Sequence, residues 1–187
     1  WIHAASVGEI VATSPLVKDI KREFPEAVVV VSVVTATGHA MAHRIIPEAE
    51  GIIFFPLDLP YLTRKSLHII KPITILLVET EIWTNFLRIA QDEKIPVMMV
   101  NGRISDRSMR RYKFIRSFTR EMLRSISRFC MQSKFDADYI NQLGAPIVNI
   151  TVTGNMKYDQ TYATVTAEEK AELLDEFGFG NNHPILI

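Results

Sequence analysis

The sequence predicts a doubly wound, mostly parallel α/β sheet of the Rossmann type, and three observations carry that prediction. First, Ala27 to Val34, Pro72 to Val78 and Pro96 to Val100 are continuous apolar runs, the pattern of strands buried on both faces of a parallel sheet. Second, segments with helical spacing of apolar residues separate these runs, so strand and helix alternate along the chain. Third, 187 residues at 48% hydrophobic content are ample for one sizeable core but too few for a full eight-stranded α/β barrel.

The chain opens on a short apolar strand that ends in Ser6-Val7-Gly8-Glu9. From Glu9 to Phe24, Ile10, Val11, Leu16, Val17, Ile20 and Phe24 follow a helical spacing, with Pro15 either kinking the helix or delaying its start. Thr35-Ala36-Thr37-Gly38-His39 opens a second helix, which runs through Ile46. A strand at Ile52 to Phe55 leads through Pro56-Leu57-Asp58 into a helix ending at Ile70. The Pro72 to Val78 strand ends on Glu79-Thr80-Glu81, and a helix follows from Trp83 to Glu93. The Pro96 to Val100 strand ends on Asn101-Gly102-Arg103. Two basic helices are expected between Asp106 and Ser125, then a strand at Arg128 to Gln132 and a helix at Phe135 to Leu143 stopped by Gly144. Val148 to Val152 is the last strand of the set. Thr166 caps a final helix to Phe177, with Glu168 and Glu169 in its first turn.

Formal net charge is zero, so nothing global points to nucleic acid. The distribution is uneven. From Arg103 to Arg128 there are nine Lys or Arg residues against Asp106 and Glu121, a local excess of seven that bears on partners and not on fold. A single cysteine, Cys130, excludes an intrachain disulfide and reads as a buried small hydrophobe in a reducing compartment. No apolar run approaches the roughly 18 residues of a membrane-spanning helix, and no signal peptide is visible. Both ends break off within strand-like runs and read as fragment boundaries.

The chemistry gathers behind the strands. Ser6-Val7-Gly8-Glu9, Glu79-Thr80-Glu81, Asn101-Gly102-Arg103 and Gly154-Asn155-Met156-Lys157 each follow a predicted strand directly, and in a parallel sheet those ends share one edge. Glu9, Glu79, Glu81, Arg103 and Lys157 are thereby expected on one crevice. Each has a bland alternative. Glu9 at a helix start, where the dipole would hold it ionised, is either a general base or a cap, and spacing alone favours the cap. Glu79 and Glu81 flank Thr80, so in an extended segment they point the same way, and like charges raise one pKa; equally, one of them caps the following helix. Arg103 either binds an anion or pairs with a glutamate, and Lys157 either meets a negative group or is a solvated loop residue. His39 and His43 share a helix face, but no further ligand supports a metal pair. Neither a Walker A loop nor a glycine-rich dinucleotide fingerprint is present.

Arg110-Arg111-Tyr112-Lys113-Phe114-Ile115-Arg116-Ser117-Phe118-Thr119-Arg120 mixes cations with aromatic and apolar residues. Such a segment suits an anionic membrane surface, with about 1 kcal/mol per cation near it. It also suits RNA phosphates, or a solvated helix packed by its apolar side.

Four stretches, in order and spanning nearly the whole chain, resemble the bacterial 3-deoxy-D-manno-octulosonic acid (Kdo) transferases of lipopolysaccharide synthesis. They are Trp1-Ile2-His3-Ala4-Ala5-Ser6-Val7-Gly8-Glu9, Glu79-Thr80-Glu81-Ile82-Trp83-Thr84-Asn85, Asn101-Gly102-Arg103-Ile104-Ser105 and Gly154-Asn155-Met156-Lys157-Tyr158-Asp159. The family commonly has Pro where this chain has Thr84, a difference that touches no charged group.

The resemblance implies the N-terminal, acceptor-side domain of a GT-B glycosyltransferase at residues 1–180, with 181–187 beginning the donor-binding domain. It implies transfer of Kdo from CMP-Kdo onto a lipid A precursor with inversion, no cofactor and no required metal, at the cytoplasmic face of the inner membrane. It also implies that a fragment without its donor half is inactive alone. Glu9 matches the family's general base, while Glu79 and Lys157 match its transition-state stabilisers. Ser6, Gly8, Glu81, Arg103 and Asn155 are expected to support substrate binding, and Arg110, Arg111, Lys113, Arg116 and Arg120 to face the membrane or acceptor. Nucleic acid is not an expected partner. The rival readings are another GT-B glycosyltransferase, or a non-catalytic module that grips anionic lipid or RNA.

Overall fold

The computed structural model describes residues 1–105, 108–109, 116–159 and 166–178. Seven parallel strands form one sheet: β1 (Ile2–His3), β2 (Val30–Val33), β3 (Gly51–Phe54), β4 (Ile75–Val78), β5 (Val97–Gly102), β6 (Arg128–Met131) and β7 (Ile150–Val152). Their spatial order is β3-β2-β1-β4-β5-β6-β7, the doubly wound arrangement expected from the sequence. β1 is only two residues long, yet it is central, with Ile2 in register with Val31 on one side and Leu76 on the other.

Helices α1 (Val7–Glu23), α2 (Ala36–Ile45), α3 (Pro60–Ile70), α4 (Thr84–Asp92), α5 (Arg116–Arg124) and α6 (Lys134–Leu143) connect the strands, and α7 (Ala167–Glu176) follows β7. Ile10, Val17 and Ala42 from α1 and α2 pack on one face of the sheet against Val31, Val33 and Val78. Leu67, Phe86, Leu123 and Ile140 from α3 to α6 pack on the other against Leu77, Met99 and Phe129. Burial of strand residues on both faces explains the unbroken apolar runs, because a side chain pointing either way leaves water.

Local chemistry sets the helix starts. Ser6, Thr35, Ser133 and Thr166 each accept a backbone N–H of the first turn, and Thr166 and Glu169 complete a capping box. With Ser6 as cap, α1 begins at Val7 and carries Pro15 inside it, so Pro15 does not delay its start. Gly144 ends α6 at φ 116°, a conformation that favours glycine.

Two expectations are corrected. Val148 lies in a 3₁₀ turn, Ile147–Asn149, because Pro146 leads into a tight turn before the strand begins at Ile150. Cys130 is half-buried, on the β6 strand near the sheet edge; burial still pushes its thiol pKa up, against the opposing effect of Arg128. The expected boundary at 180/181 lies outside the described residues.

Candidate active site

The chain leaves β1 toward β2 and β3 on one side of the sheet, and later strands build from β4 on the other, so the winding reverses between β1 and β4. The crevice beyond the C-terminal ends of the strands at such a switch point is where α/β sheets bind ligands. β1 delivers Ser6 to Glu9 to that crevice, and β4 delivers Glu79 to Glu81.

Glu9 is 7% exposed. Its carboxylate accepts the N–H of Ala5 at 2.8 Å and the hydroxyl of Ser6 at 2.7 Å, while the N–H of Glu9 donates back to Ser6 Oγ at 3.3 Å. Cap and candidate base are therefore one residue pair: Ser6 caps the helix and Glu9 closes the cap. The sequence-based expectation of a carboxylate held ionised by the helix start is corrected in direction. Burial raises the Glu9 pKa, and the carboxylates of Glu79 and Glu81 raise it further, against the lowering effect of the two hydrogen bonds. The result is a carboxylate more basic than usual.

Glu79 has φ 60°, a left-handed conformation that turns the chain sharply after β4. The extended geometry that would place Glu79 and Glu81 on the same side is thus absent. Neither glutamate caps α4. Asp58 does so from the β3–α3 loop, accepting the N–H groups of Asn85 at 3.1 Å and Phe86 at 2.8 Å. Glu81 instead accepts Trp83 Nε1 at 3.0 Å, and burial with the nearby Glu79 raises its pKa. Trp83 lies edge-on to His3, which stacks on Phe55 at 3.9 Å; burial pushes His3 down to about 4, so it is neutral near pH 7.

β7 delivers Lys157 on a 3₁₀ turn, Met156–Asp159. Lys157 Nζ lies 4.0 Å from Glu79 Oε1 with both side chains partly exposed, so the ammonium remains open to a ligand. Asn155 Oδ1 accepts the N–H of Lys157 at 3.0 Å and is used to form the turn. Arg103 is exposed, and its carbonyl accepts the hydroxyl of Thr80, which ties the β5 end to the β4 end. Among the described residues it forms no ion pair with Glu79 or Glu81, and Glu79 is paired with Lys157 instead.

Gly8 is the second residue of α1, and a Cβ there would meet only Ser6 Oγ at 4.0 Å. The protein itself does not need glycine at this exposed position. Close approach of a ligand to the helix start would. Among the described residues, no group of three or more His, Cys, Asp or Glu side chains is placed to hold a metal ion. His39 stacks on Phe54, with its Nε2 3.3 Å from the carbonyl of Ile52.

Residues 1–160 match the family model described as 3-deoxy-D-manno-octulosonic-acid transferase (Kdotransferase). This chain belongs to that family. It is 31% identical over 159 residues to a 3-deoxy-D-manno-octulosonic acid transferase of Haemophilus influenzae, covering 85% of this chain and 37% of that protein. It is 35% identical over 174 residues to a bifunctional glycosyltransferase/methyltransferase of Fusobacterium nucleatum, covering 92% of this chain and 27% of that protein. The chain thus spans well under half the length of these relatives. Among solved structures, a UDP-GlcNAc 2-epimerase of Neisseria meningitidis superposes with a TM-score of 0.63 at 14% identity, over 97% of this chain and 54% of that one. That likeness is one of fold.

For this Kdotransferase-family chain, the crevice brings Glu9, Glu79, Glu81 and Lys157 together, with Arg103 exposed at the neighbouring strand end. Arg110, Arg111 and Lys113 lie outside the described residues, as does the side chain of Arg116. Arg120 is exposed, and its stem packs against Gly144, while Met122 and Leu123 of the same helix are buried. Of the segment that begins at Arg110, only this helical end, residues 116–120, lies within the described residues. Two residues at the site carry no role in the sequence reading. Asp58 stands beside the start of α3 in sequence, where an Asp suggests a cap for that helix, yet it caps α4. Asn101 belongs to an expected crevice stretch, and its Asn-Gly pair after a strand is a signal of left-handed backbone.

Proposed function

We propose that this chain is the acceptor-side half of an inverting GT-B glycosyltransferase that moves Kdo from CMP-Kdo to a lipid A precursor in lipopolysaccharide synthesis. Glu9, at the switch-point crevice, carries the reading. Its carboxylate takes the proton of an acceptor sugar hydroxyl, and the freed oxygen attacks the anomeric carbon of Kdo as the bond to CMP breaks and its electron pair leaves with the phosphate. A buried carboxylate with a raised pKa accepts that proton more readily than an ordinary one. Lys157 offsets the negative charge of the leaving CMP and the sugar carboxylate. Glu79 keeps the ammonium in place and faces the positive charge that develops at the sugar. Arg103 is an additional anion contact, and the exposed Gly8 leaves room for the acceptor at the helix start.

The enzyme works without a resident metal, its second domain supplies the donor site, and the 187-residue piece alone is inactive. It acts at the cytoplasmic face of the inner membrane. No helix among the described residues is long and apolar enough to cross a bilayer. The cationic segment ending at Arg120 suits phosphates of the acceptor and anionic headgroups. Leu57 and Tyr61, 70% and 73% exposed beyond the β3 strand end, suit its acyl chains.

The test is turnover of CMP-Kdo and a lipid A precursor by the full-length parent and its Glu9→Gln form. The amide retains the shape and removes the basic charge, but it replaces one of the two acceptor oxygens, which take the Ala5 N–H and the Ser6 hydroxyl, with a donor. A loss of about 1 kcal/mol in stability is expected at most, while turnover falls by about 10² to 10⁴. Wild-type turnover in Glu9→Gln would refute the assignment.

A further inference from the structure

Among the described residues, four non-glycine positions have positive φ: Lys71, Glu79, Lys94 and Asn101. Lys71 and Lys94 follow the ends of α3 and α4, where left-handed residues commonly terminate helices. Glu79 and Asn101 have no such reason. They stand at adjacent strand ends beside the crevice, and unusual backbone held in place by its surroundings is a pointer to function.

Asn101 is 1% exposed, with φ 54°. Its carbonyl accepts Gln132 Nε2 at 2.9 Å, and Gln132 N donates to the carbonyl of Gly102 at 2.9 Å, so the end of β5 is clamped to the end of β6. Its side-chain Oδ1 accepts the N–H of Met156 at 3.1 Å, across 55 residues of sequence. A backbone N–H can only donate, so this contact fixes which end of the carboxamide faces the turn. Nδ2 is buried with no partner among the described residues, so the contact through Oδ1 is what the side chain contributes. Met156 is the first residue of the turn that carries Lys157. One residue earlier in β5, the carbonyl of Val100 accepts the N–H of Glu79 at 2.9 Å. Two consecutive β5 residues therefore fasten both ends of the Lys157–Glu79 pair.

We infer that Asn101 is a positioning residue: its carboxamide sets the turn Met156–Asp159 so that the Lys157 ammonium faces the reacting groups. The inference rests on the reading of Lys157 given above. Left-handed backbone at Asn101 aims the buried carboxamide at the turn, where it meets the part-buried Met156 N–H. Asn supplies both needs, since it tolerates this φ better than most residues and carries an acceptor at the right reach.

The experiment uses the full-length enzyme with CMP-Kdo and a lipid A precursor, and compares Asn101→Gly, Asn101→Asp, Met156→Pro, Lys157→Ala and the Asn101→Gly/Lys157→Ala double variant. Gly keeps the backbone freedom and removes the acceptor. Its kcat is expected to fall about 10- to 100-fold with KM values within about twofold, the signature of a misplaced group acting in the transition state. Asn101→Asp retains an acceptor and should recover at least about tenfold of that loss. Met156→Pro removes the donor at the first position of the turn, where proline is tolerated, and should reproduce the Gly phenotype with Asn101 intact. In the Lys157→Ala background, Asn101→Gly should have no further effect on kcat.

Full additivity in the double variant, or wild-type kcat in both Asn101→Gly and Met156→Pro while Lys157→Ala is impaired, would overturn the positioning role alone. Undiminished turnover in Lys157→Ala would overturn the reading of Lys157 itself. If Asn101→Gly does not fold, Met156→Pro decides, alone and in the Lys157→Ala background.

Discussion

The two sides of the crevice are built by opposite means. On the β1 side, the hydrogen bonds to the Glu9 carboxylate come from within four residues, from the Ala5 N–H and the Ser6 hydroxyl, and the Glu9 N–H donates back to Ser6. On the β5–β7 side, Lys157 is held through Asn101, 55 residues before Met156, and faces Glu79 from a different strand. The first side is a local motif that forms whenever its helix forms. The second exists only when β4, β5 and β7 are assembled in register. Glu9 is accordingly buried with its carboxylate held by two hydrogen bonds, whereas Lys157 remains partly exposed.

The largest effect that would sharpen this contrast is in pH dependence. If Glu9 is the base, its ionised form is required, so activity falls on the acid side by about tenfold per pH unit below its pKa. Burial and the two neighbouring carboxylates raise that pKa, so the acid limb of kcat/KM should lie above the ordinary carboxylate range. Glu81→Gln removes one neighbouring charge and should move the limb to lower pH. For stability the sign is the reverse of the usual paired carboxylate. A raised pKa means that the folded state binds the proton more tightly than the unfolded chain, so the Glu9 contribution favours folding as pH falls through its folded-state pKa. A pH–rate profile of the full-length enzyme in which Glu81→Gln shifts the limb upward, or not at all, would break the link between Glu9 and its carboxylate neighbours.

A smaller effect tests whether the long-range side depends on its scaffold. Asp58 caps α4 from the β3–α3 loop and thereby frees Glu81 to bind Trp83. Asp58→Ala removes the acceptor of two N–H groups and should cost about 1–2 kcal/mol locally. Amide exchange at Asn85 and Phe86 should accelerate about tenfold or more. Unchanged protection there would mean that the helix start is held by packing of Phe86 alone.

How much was legible in the sequence follows the same division. The continuous apolar runs at Val30–Val33, Ile75–Val78 and Val97–Val100 announce buried parallel strands, because burial on both faces leaves no polar alternation. The residues that follow β1, β4, β5 and β7 could be placed on one edge from topology alone, which brought out Glu9, Glu79, Arg103 and Lys157. The direction in which Glu79 points was not legible, because one left-handed φ reverses a segment that reads as extended. The α4 cap was not legible either: Asp58 lies 27 residues before Asn85, and either nearby glutamate was the natural choice. Asn101 was hidden for a related reason. An Asn-Gly pair after a strand reads as an exposed turn, and only the β6 and β7 neighbours bury it.

The smallest expected effect returns to the local side, with Ser6→Ala. The hydroxyl does two things at once, accepting the N–H of Glu9 and donating to its carboxylate. Loss of the cap should cost about 1 kcal/mol of helix stability, a modest change in a 17-residue helix whose buried Ile10 and Val17 remain packed. Loss of the donated hydrogen bond removes an interaction that lowers the Glu9 pKa, so the acid limb should move to higher pH, opposite to Glu81→Gln. Turnover on the alkaline plateau should change little, because the carboxylate still accepts the Ala5 N–H and is ionised there. Ser6→Ala and Glu81→Gln leave Glu9 itself in place and shift one titration in opposite directions, so the pair separates a base tuned by its immediate neighbours from a carboxylate that only caps a helix. If Ser6→Ala lowers the plateau as strongly as Glu9→Gln, then Ser6 contacts the reacting groups directly, and the serine joins the glutamate in the chemistry.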